Sequence, residues 1–205
     1  MSLPDRINAA AKWVPVWAVY LVCIIPVPVL LYMGATGGLG REPIAGLEHE
    51  LGEIAIQLLI VGLCVSPLRR YLGVNLMKFR RAIGLLAFIY VSLHLLVWAV
   101  LDVQSLERVW ADILKRPYIS VGMGAFVLML PMALTSNNRS IRSLGPRWRS
   151  IHYLVYPVAL LAALHFIWVR RGFQIEPLIY MGVICALVLL RLRPGSKLLQ
   201  AKARS

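Results

Sequence analysis

Long runs of apolar residues alternate with short polar segments along this chain, without the one-sided periodicity of a soluble amphipathic helix. A helix of about 20 apolar residues, rising about 1.5 Å per residue, crosses a hydrocarbon core of about 30 Å. The first run has 21 residues, more than the roughly 7–15 of a signal-peptide core, so we expect it to be retained. The pattern predicts an all-α integral membrane protein, a single domain over 1–205 folded as a six-transmembrane-helix bundle. The six predicted spans are 13–33, 51–68, 82–101, 118–134, 151–169 and 175–192.

The composition agrees with a membrane protein. Of the 205 residues, 60% are apolar and only 15% are charged, whereas about a quarter of an average soluble domain is charged. So few charges do not cover a water-facing surface. The three cysteines lack C-x-x-C spacing, so we expect neither a disulfide framework nor a thiolate metal site.

The distribution of basic residues predicts the orientation of the bundle. The chain has 22 Lys and Arg against 9 Asp and Glu, a net charge of +13. Sixteen of the basic residues fall in the N-terminal segment, the second and fourth loops and the C-terminal segment, and six fall on the other side. The positive-inside rule therefore places both termini in the cytoplasm. Topology explains this charge better than nucleic-acid binding does.

Two histidines lie well inside predicted spans, His94 in the third and His165 in the fifth. An ionisable side chain in a bilayer usually faces the bundle interior, at a functional site. Counted from Arg81 and Arg149, the two lie about 20 Å and about 24 Å along ideal helices, so they reach similar depths. Each could simply bond a neighbouring carbonyl or hydroxyl. Facing each other, they would be axial ligands of one six-coordinate b-type haem in the bundle interior. Zinc would require carboxylates at that depth, and the spans show none there.

The other two histidines are predicted near the membrane surfaces. His152 lies three residues beyond Arg149, and 13 residues before His165. An ideal helix separates the last two by 220°, although the intervening Pro157 can change this register. His152 is therefore interpreted as a ligand of a second haem, a contact of another inner cofactor or a propionate contact, with one haem favoured over two. His49 is expected in a solvated outer loop, with a propionate contact as the alternative.

Several short motifs, taken together, resemble a known family. In order along the chain they are Gly37–Pro43, Ser66–Arg69, Arg80–Leu85, Ser92–His94, Arg116–Tyr118, Leu134–Ser136 and Leu144–Trp148, followed by His152 and His165. In this order they resemble the ferric reductase-like transmembrane domain family. Within it, the chain is most similar to the haem-binding membrane subunits of bacterial protein-methionine-sulfoxide reductase systems. Members with two stacked haems carry a second histidine on the third span, which this chain lacks.

The resemblance implies an electron-transfer subunit of the bacterial inner membrane. Electrons would come from a cytosolic flavin reductase or the quinone pool, pass through FMN and haem b, and reach a periplasmic molybdopterin-containing catalytic subunit. That partner, and not this chain, would reduce methionine sulfoxide in oxidised proteins.

Basic residues at the cytoplasmic mouth are candidates for the flavin site. Arg80, Arg81 and Arg149 lie near His152 and could bind a flavin phosphate through charge-assisted hydrogen bonds. Alternatively they serve only as orientation signals and lipid-headgroup contacts. Two other functions also stay open. One is a free-standing ferric or oxygen reductase, whose fused relatives carry a C-terminal flavin domain. The other is a histidine-relay proton transporter, which would require carboxylates buried mid-span.

Overall fold

The computed structural model describes residues 2–170 and 174–192 of the chain. Within these ranges all regular structure is helical, which confirms the predicted all-α class. A 3-10 turn at Met77–Phe79 precedes the fifth helix, and a π-helical segment at Val97–Val103 follows it. The α-helices are α1 (Leu3–Trp13), α2 (Val16–Ile24), α3 (Pro26–Thr36), α4 (Pro43–Leu72), α5 (Arg80–Leu96), α6 (Leu106–Lys115), α7 (Pro117–Leu134), α8 (Asn138–Leu144), α9 (Pro146–His152), α10 (Val155–Val169) and α11 (Ile175–Leu192).

Five helical stretches among the described residues are long and apolar enough to cross a membrane. They are Val16–Thr36, Pro43–Leu72, Met77–Val103, Pro117–Leu134 and Pro146–Val169. The chain is therefore a multi-pass membrane protein. The sixth predicted span coincides with α11, and its crossing of the membrane stays a prediction. The second span differs most from its predicted bounds, because α4 begins at Pro43 instead of residue 51.

Prolines accompany the interruptions of two spans. Pro26 separates α2 from α3, yet Ile25 between them keeps a right-handed helical conformation, so the first span is kinked and not broken. A turn at Tyr153 and Leu154 separates α9 from α10. Pro157 lacks the N–H that would bond the Tyr153 carbonyl, which explains this turn. Because of this turn, the angle of 220° calculated for an ideal helix does not apply to His152 and His165.

Helix α4 lies at the centre of the bundle and packs against α3, α5, α10 and α11. Small buried side chains, among them Ala87, Ala159 and Ala163, let neighbouring backbones approach closely. Tyr90 of α5 is fully buried, and its hydroxyl donates to the Cys23 carbonyl of α2 at 2.6 Å. This bond satisfies a polar group in an apolar interior and holds the kinked first span against α5.

Helix α6 carries an exposed apolar stripe at the end of the bundle where the third span finishes. Leu106, Trp110 and Leu114, spaced four residues apart, are 88%, 65% and 68% exposed. The linkers to the adjoining spans are only one or two residues long, so both ends of α6 are held at the ends of these spans. Such a helix is typical of segments that lie in a membrane interface.

The side chain of Asn8 connects helix α1 to the C-terminal end of α4. Its Nδ2 donates to the Gly73 carbonyl at 2.9 Å, and its Oδ1 accepts from the Asn75 amide at 2.7 Å. The Lys78 ammonium also donates to the Lys12 carbonyl at 3.1 Å. The helix is therefore held by a few polar contacts and by Ala11, which packs against the cluster of Val65, Phe79 and Ile83, and it has no buried side chain of its own.

We expect Asn8→Ala to release α1, because it removes two hydrogen bonds worth together about 1–2 kcal/mol. Limited trypsin digestion in detergent should cleave after Lys12 roughly 10-fold faster, as a loss of that size predicts. Asn8→Asp keeps the acceptor for the Asn75 amide and should fall between the two. Equal cleavage rates in all three proteins would show that the clamp does not hold α1.

Candidate functional site

Two cavities lie in the bundle, one toward each end. The outer cavity, near α6, has a volume of about 380 Å³, and the inner cavity, near α8 and α9, about 440 Å³. Both volumes fall within the roughly 300–1,000 Å³ of ligand pockets. Leu59 and Met129 line both cavities, so the two are separated by a thin wall of side chains.

His94 reaches the outer cavity from α5. Its Nδ1 lies 2.8 Å from the backbone carbonyl of Glu48 on α4. A carbonyl only accepts, so this nitrogen carries the proton and Nε2 is left as a free acceptor. A metal-binding histidine is usually held in this way.

His165 reaches the same cavity from α10 and is held in the same way. Its Nδ1 lies 2.7 Å from the backbone carbonyl of Tyr118 on α7. Both predicted haem ligands are thus in one cavity, each with Nε2 in the tautomer that binds a metal.

A glycine makes each of these contacts possible. Gly52 and Gly122 lie four residues after Glu48 and Tyr118, on the turn above the carbonyl that accepts the bond. A Cβ on Gly52 would lie 3.2 Å from Nδ1 of His94. A Cβ on Gly122 would lie 2.8 Å from Nδ1 of His165 and 2.9 Å from its Cε1. The glycines therefore leave the space in which the rings lie.

The separation of the two rings fits a shared metal ion. Their centroids are 6.3 Å apart, and their planes are inclined by 79°. Two imidazoles on opposite sides of one ion, with metal–nitrogen bonds of about 2 Å and ring radii of about 1.1 Å, have centroids about 6 Å apart. Among the described residues no group of three or more His, Cys, Asp or Glu could hold a metal. This two-ligand arrangement suits a porphyrin iron, whose other ligands come from the macrocycle.

Polar side chains lie deeper in the second span than the sequence suggested. His49 is in α4 and lines the outer cavity, so its expected position in a solvated loop is wrong. It contacts Arg170 and lies 3.5 Å from a carboxylate oxygen of Glu53. Glu48 and Glu53 also line this cavity, and Oε1 of Glu48 is buried with no partner among the described residues. Because α4 starts earlier than predicted, Glu48 and His49 fall inside the helix, whereas Glu53 already lies within the predicted span.

A positive charge lies at the mouth of the outer cavity. Arg116 lines it between α6 and α7, and its Nη1 donates to the Tyr118 hydroxyl at 3.3 Å. This hydrogen bond raises the pKa of Arg116 above its ordinary value. The carboxylate of Asp112, whose Oδ1 lies 3.2 Å from Nε of Arg116, contributes to the same shift. The guanidinium is a fixed cation that could bind a carboxylate of a cofactor.

His152 lines the inner cavity. Its ring stacks on Trp148 with 3.8 Å between centroids, and its Nδ1 lies 3.0 Å from the Trp148 carbonyl. Nε2 lies 3.3 Å from the Ser136 hydroxyl. It is the one histidine among the described residues that line this cavity, so a second iron here would require a different second ligand.

The three predicted arginines meet at the inner cavity. Arg80 is half-buried in its wall, whereas Arg81 and Arg149 are exposed at its rim. A fourth arginine, Arg191 of α11, also lines it. In the sequence, Arg191 is one of the basic residues of the C-terminal segment. Its position within an apolar run is the one feature of the sequence that indicates a buried side chain. The described lining residues include no carboxylate.

These features define a helical membrane protein with a paired-histidine site in its interior, and the family comparison agrees. The ferric reductase-like transmembrane component family matches residues 51–163. The chain belongs to this family, as its motifs predicted.

Its relatives are similar over nearly their whole length. The "Protein-methionine-sulfoxide reductase heme-binding subunit MsrQ" of Agrobacterium fabrum is 43% identical over 206 residues, covering all of this chain and 94% of the relative. The protein of the same name from Brucella anthropi is 44% identical over 184 residues, covering 89% of this chain and 84% of the relative. No solved structure shows significant similarity to the chain.

Proposed function

We propose that this chain is a haem-binding electron-transfer subunit of a protein-methionine-sulfoxide reductase system. The observation that carries the proposal is the His94–His165 pair, with free Nε2 atoms and centroids 6.3 Å apart inside a membrane bundle. The names of the relatives, which call them haem-binding subunits, support the same cofactor.

The residues of the outer cavity suit one b-type haem. His94 and His165 would hold the iron, apolar side chains such as Val91 and Phe126 would face the porphyrin, and Arg116 would bind a propionate. Bound haem supplies one-electron redox chemistry. With both histidines holding the iron, the site would leave no open position for oxygen or substrate, which favours electron transfer over catalysis at the iron.

The inner cavity suits a cofactor that accepts electrons on the cytoplasmic side. Arg80, Arg81 and Arg149 would bind the phosphate of FMN, and the stacked rings of Trp148 and His152 would contact its flat ring system. Since Leu59 and Met129 line both cavities, the two cofactors would lie close enough for electrons to cross the bundle. His152 would contact this inner cofactor; one haem remains favoured over two.

Charge and family support a proposed position of the subunit in its system. The basic side would face the cytoplasm, with both termini there and α11 as the sixth span of a bacterial inner-membrane protein. A flavin reductase or quinol would donate electrons at the inner cavity. A periplasmic molybdopterin-containing subunit would accept them at the outer cavity and carry out sulfoxide reduction.

The proposal is tested by following the haem of the purified protein under anaerobic conditions. A flavin reductase with NADH and FMN should reduce the haem and give the sharp bands of low-spin b haem. Adding the catalytic partner with an oxidised protein should reoxidise the haem rapidly, and the partner without substrate should not. The measurement is the haem absorbance after rapid mixing.

The alternatives give different results in the same experiment. Reoxidation by ferric citrate or oxygen, at the same rate with and without the partner, would indicate a free-standing reductase. A preparation from haem-replete cells that contains no haem would leave only a non-redox function, such as proton transport.

A further inference from the structure

The inner cavity concentrates positive charge that no described side chain neutralises. Arg80, Arg81, Arg149 and Arg191 line a volume of about 440 Å³, and no Asp or Glu is among the described lining residues. Arg80 and Arg191 line the same cavity, so their like charges oppose each other. Two cations are costly inside a membrane bundle, and such groups usually mark a functional site. An anion between them would remove the repulsion.

Arg191 is the least expected of the four, because it comes from α11 and reaches across to α4. Its Nη2 donates to the Leu63 carbonyl at 2.8 Å, and lies 3.2 Å from both the Gly62 carbonyl and the Ser66 hydroxyl. The Leu63 carbonyl is available because Pro67, four residues later, has no N–H to donate. One nitrogen of Arg191 thus has a structural role, which fixes the position of the guanidinium.

The rest of that guanidinium makes no hydrogen bond to the described residues, although its Cζ lies 5.8 Å from the centroid of the Tyr156 ring. Nε of Arg191 is buried and has no hydrogen-bond partner among the described residues. A buried charged donor without a partner is costly, so natural structures usually supply one. Arg191 also lines the cavity, so a ligand there could supply the missing acceptor.

The walls of the cavity indicate the shape of this ligand. Trp148 and His152 stack with an angle of 25° between their planes and form one flat aromatic wall. Gly84 on α5 adds an open surface, since a Cβ there would meet no atom within 4 Å. Flat aromatic walls beside guanidinium groups suit a planar, aromatic, anionic molecule.

We propose that Arg191, together with Arg80, binds the oxyanion of a planar cofactor in the inner cavity. In the form that rests on the proposed function, this oxyanion is the phosphate of FMN. A propionate of a second haem has the same chemistry. In either case Arg191 is a ligand-binding residue beside Arg80, and Arg81 and Arg149 at the rim would complete the binding of the oxyanion. A ligand bound by Arg80 and Arg191 would also connect α5 to α11 and, through the hydrogen bond from Arg191 to the Leu63 carbonyl, to α4.

The test compares the wild type, Arg191→Gln and the control Arg142→Gln, whose arginine is exposed on α8 and does not line the cavity. Glutamine keeps a polar amide group but is two bonds shorter than arginine and has no charge. Binding of FMN and of riboflavin, which lacks the phosphate, is measured by equilibrium dialysis, and haem per chain by pyridine haemochrome. We expect Arg191→Gln to weaken FMN binding about 10-fold or more, leaving riboflavin binding, the low-spin spectrum and the control unchanged.

Each other outcome decides between the sources or overturns the inference. Unchanged FMN binding with less haem per chain, while the low-spin spectrum of the outer site persists, would identify a propionate as the oxyanion. If the Arg191→Gln protein has the same FMN binding and haem content as the wild type, the role of Arg191 is wrong, and the proposed function is not affected. If the wild type binds no FMN and Arg191→Gln keeps its haem, both this inference and the inner flavin site are wrong. If Arg191→Gln loses the low-spin spectrum, the same comparison is made with Arg191→Lys. Lysine keeps the charge but not the planar fork, so weaker FMN binding by this variant would support the role of the guanidinium, and binding equal to the wild type would contradict it.

Discussion

Replacing either His94 or His165 with alanine is expected to abolish the low-spin haem spectrum. Each ring is positioned by one backbone carbonyl, and these two histidines are the ones that would hold the iron. His49 lines the same cavity but contacts Arg170 and Glu53. The measurement is the dithionite-reduced minus oxidised absorption spectrum of the purified protein, with haem per chain.

Three controls separate loss of a ligand from loss of the fold. Imidazole added to the His94→Ala or His165→Ala protein should restore part of the low-spin spectrum, because the free base fits the space left by the ring. His49→Ala should keep the spectrum, since this residue is not a proposed ligand. His152→Ala should also keep it, because His152 lies in the inner cavity. If His152→Ala removed the low-spin haem and His165→Ala retained it, the proposed pairing would be wrong.

Gly122→Ala is expected to weaken haem binding about 10- to 100-fold, the usual effect of disturbing a group that positions a metal ligand. The added methyl would lie 2.8 Å from Nδ1 of His165, a distance that real Cβ atoms essentially never show. The ring would have to move away from the Tyr118 carbonyl, which both positions it and sets its tautomer. Haem retained after purification and the proportion of low-spin iron measure the effect.

Gly124→Ala is the matched control for this change. Gly124 lies two residues further along the same helix, and a Cβ there would meet no atom within 4 Å. Gly52→Ala should have a smaller effect, because its Cβ would lie 3.2 Å from Nδ1 of His94 and a small shift relieves that contact. Equal haem content in the Gly122→Ala and Gly124→Ala proteins would show that the close contact does not position His165.

The two histidine contacts show how far residue spacing predicts a site. The depth of His94 and His165 could be estimated from the sequence, because the rise of a helix is constant. Their carbonyl partners lie 46 and 47 residues away along the chain, so no local pattern connects them. Gly52 and Gly122 were not identified for the same reason. A glycine inside an apolar helix has many uses, and only a neighbouring helix shows which one applies.

Two differences between prediction and structure come from where helices begin and bend. The apolar pattern predicts that the second span begins at Leu51, because His49 and Glu48 before it are polar, but the helix begins earlier, at Pro43. These residues therefore face the outer cavity. In the fifth span the turn before Val155 changed the register, so an angle calculated for a straight helix did not apply to His152.

The sequence alone determined that this protein is a helical membrane protein of the ferric reductase-like family, with histidines in its third and fifth spans. These properties depend on the length of apolar runs and on short motifs, which are local in the chain. The tertiary structure alone decided which carbonyls orient the two rings, and that His49 and Arg191 face the two cavities. Those properties depend on contacts between helices that are far apart in sequence, where packing decides which side chains meet.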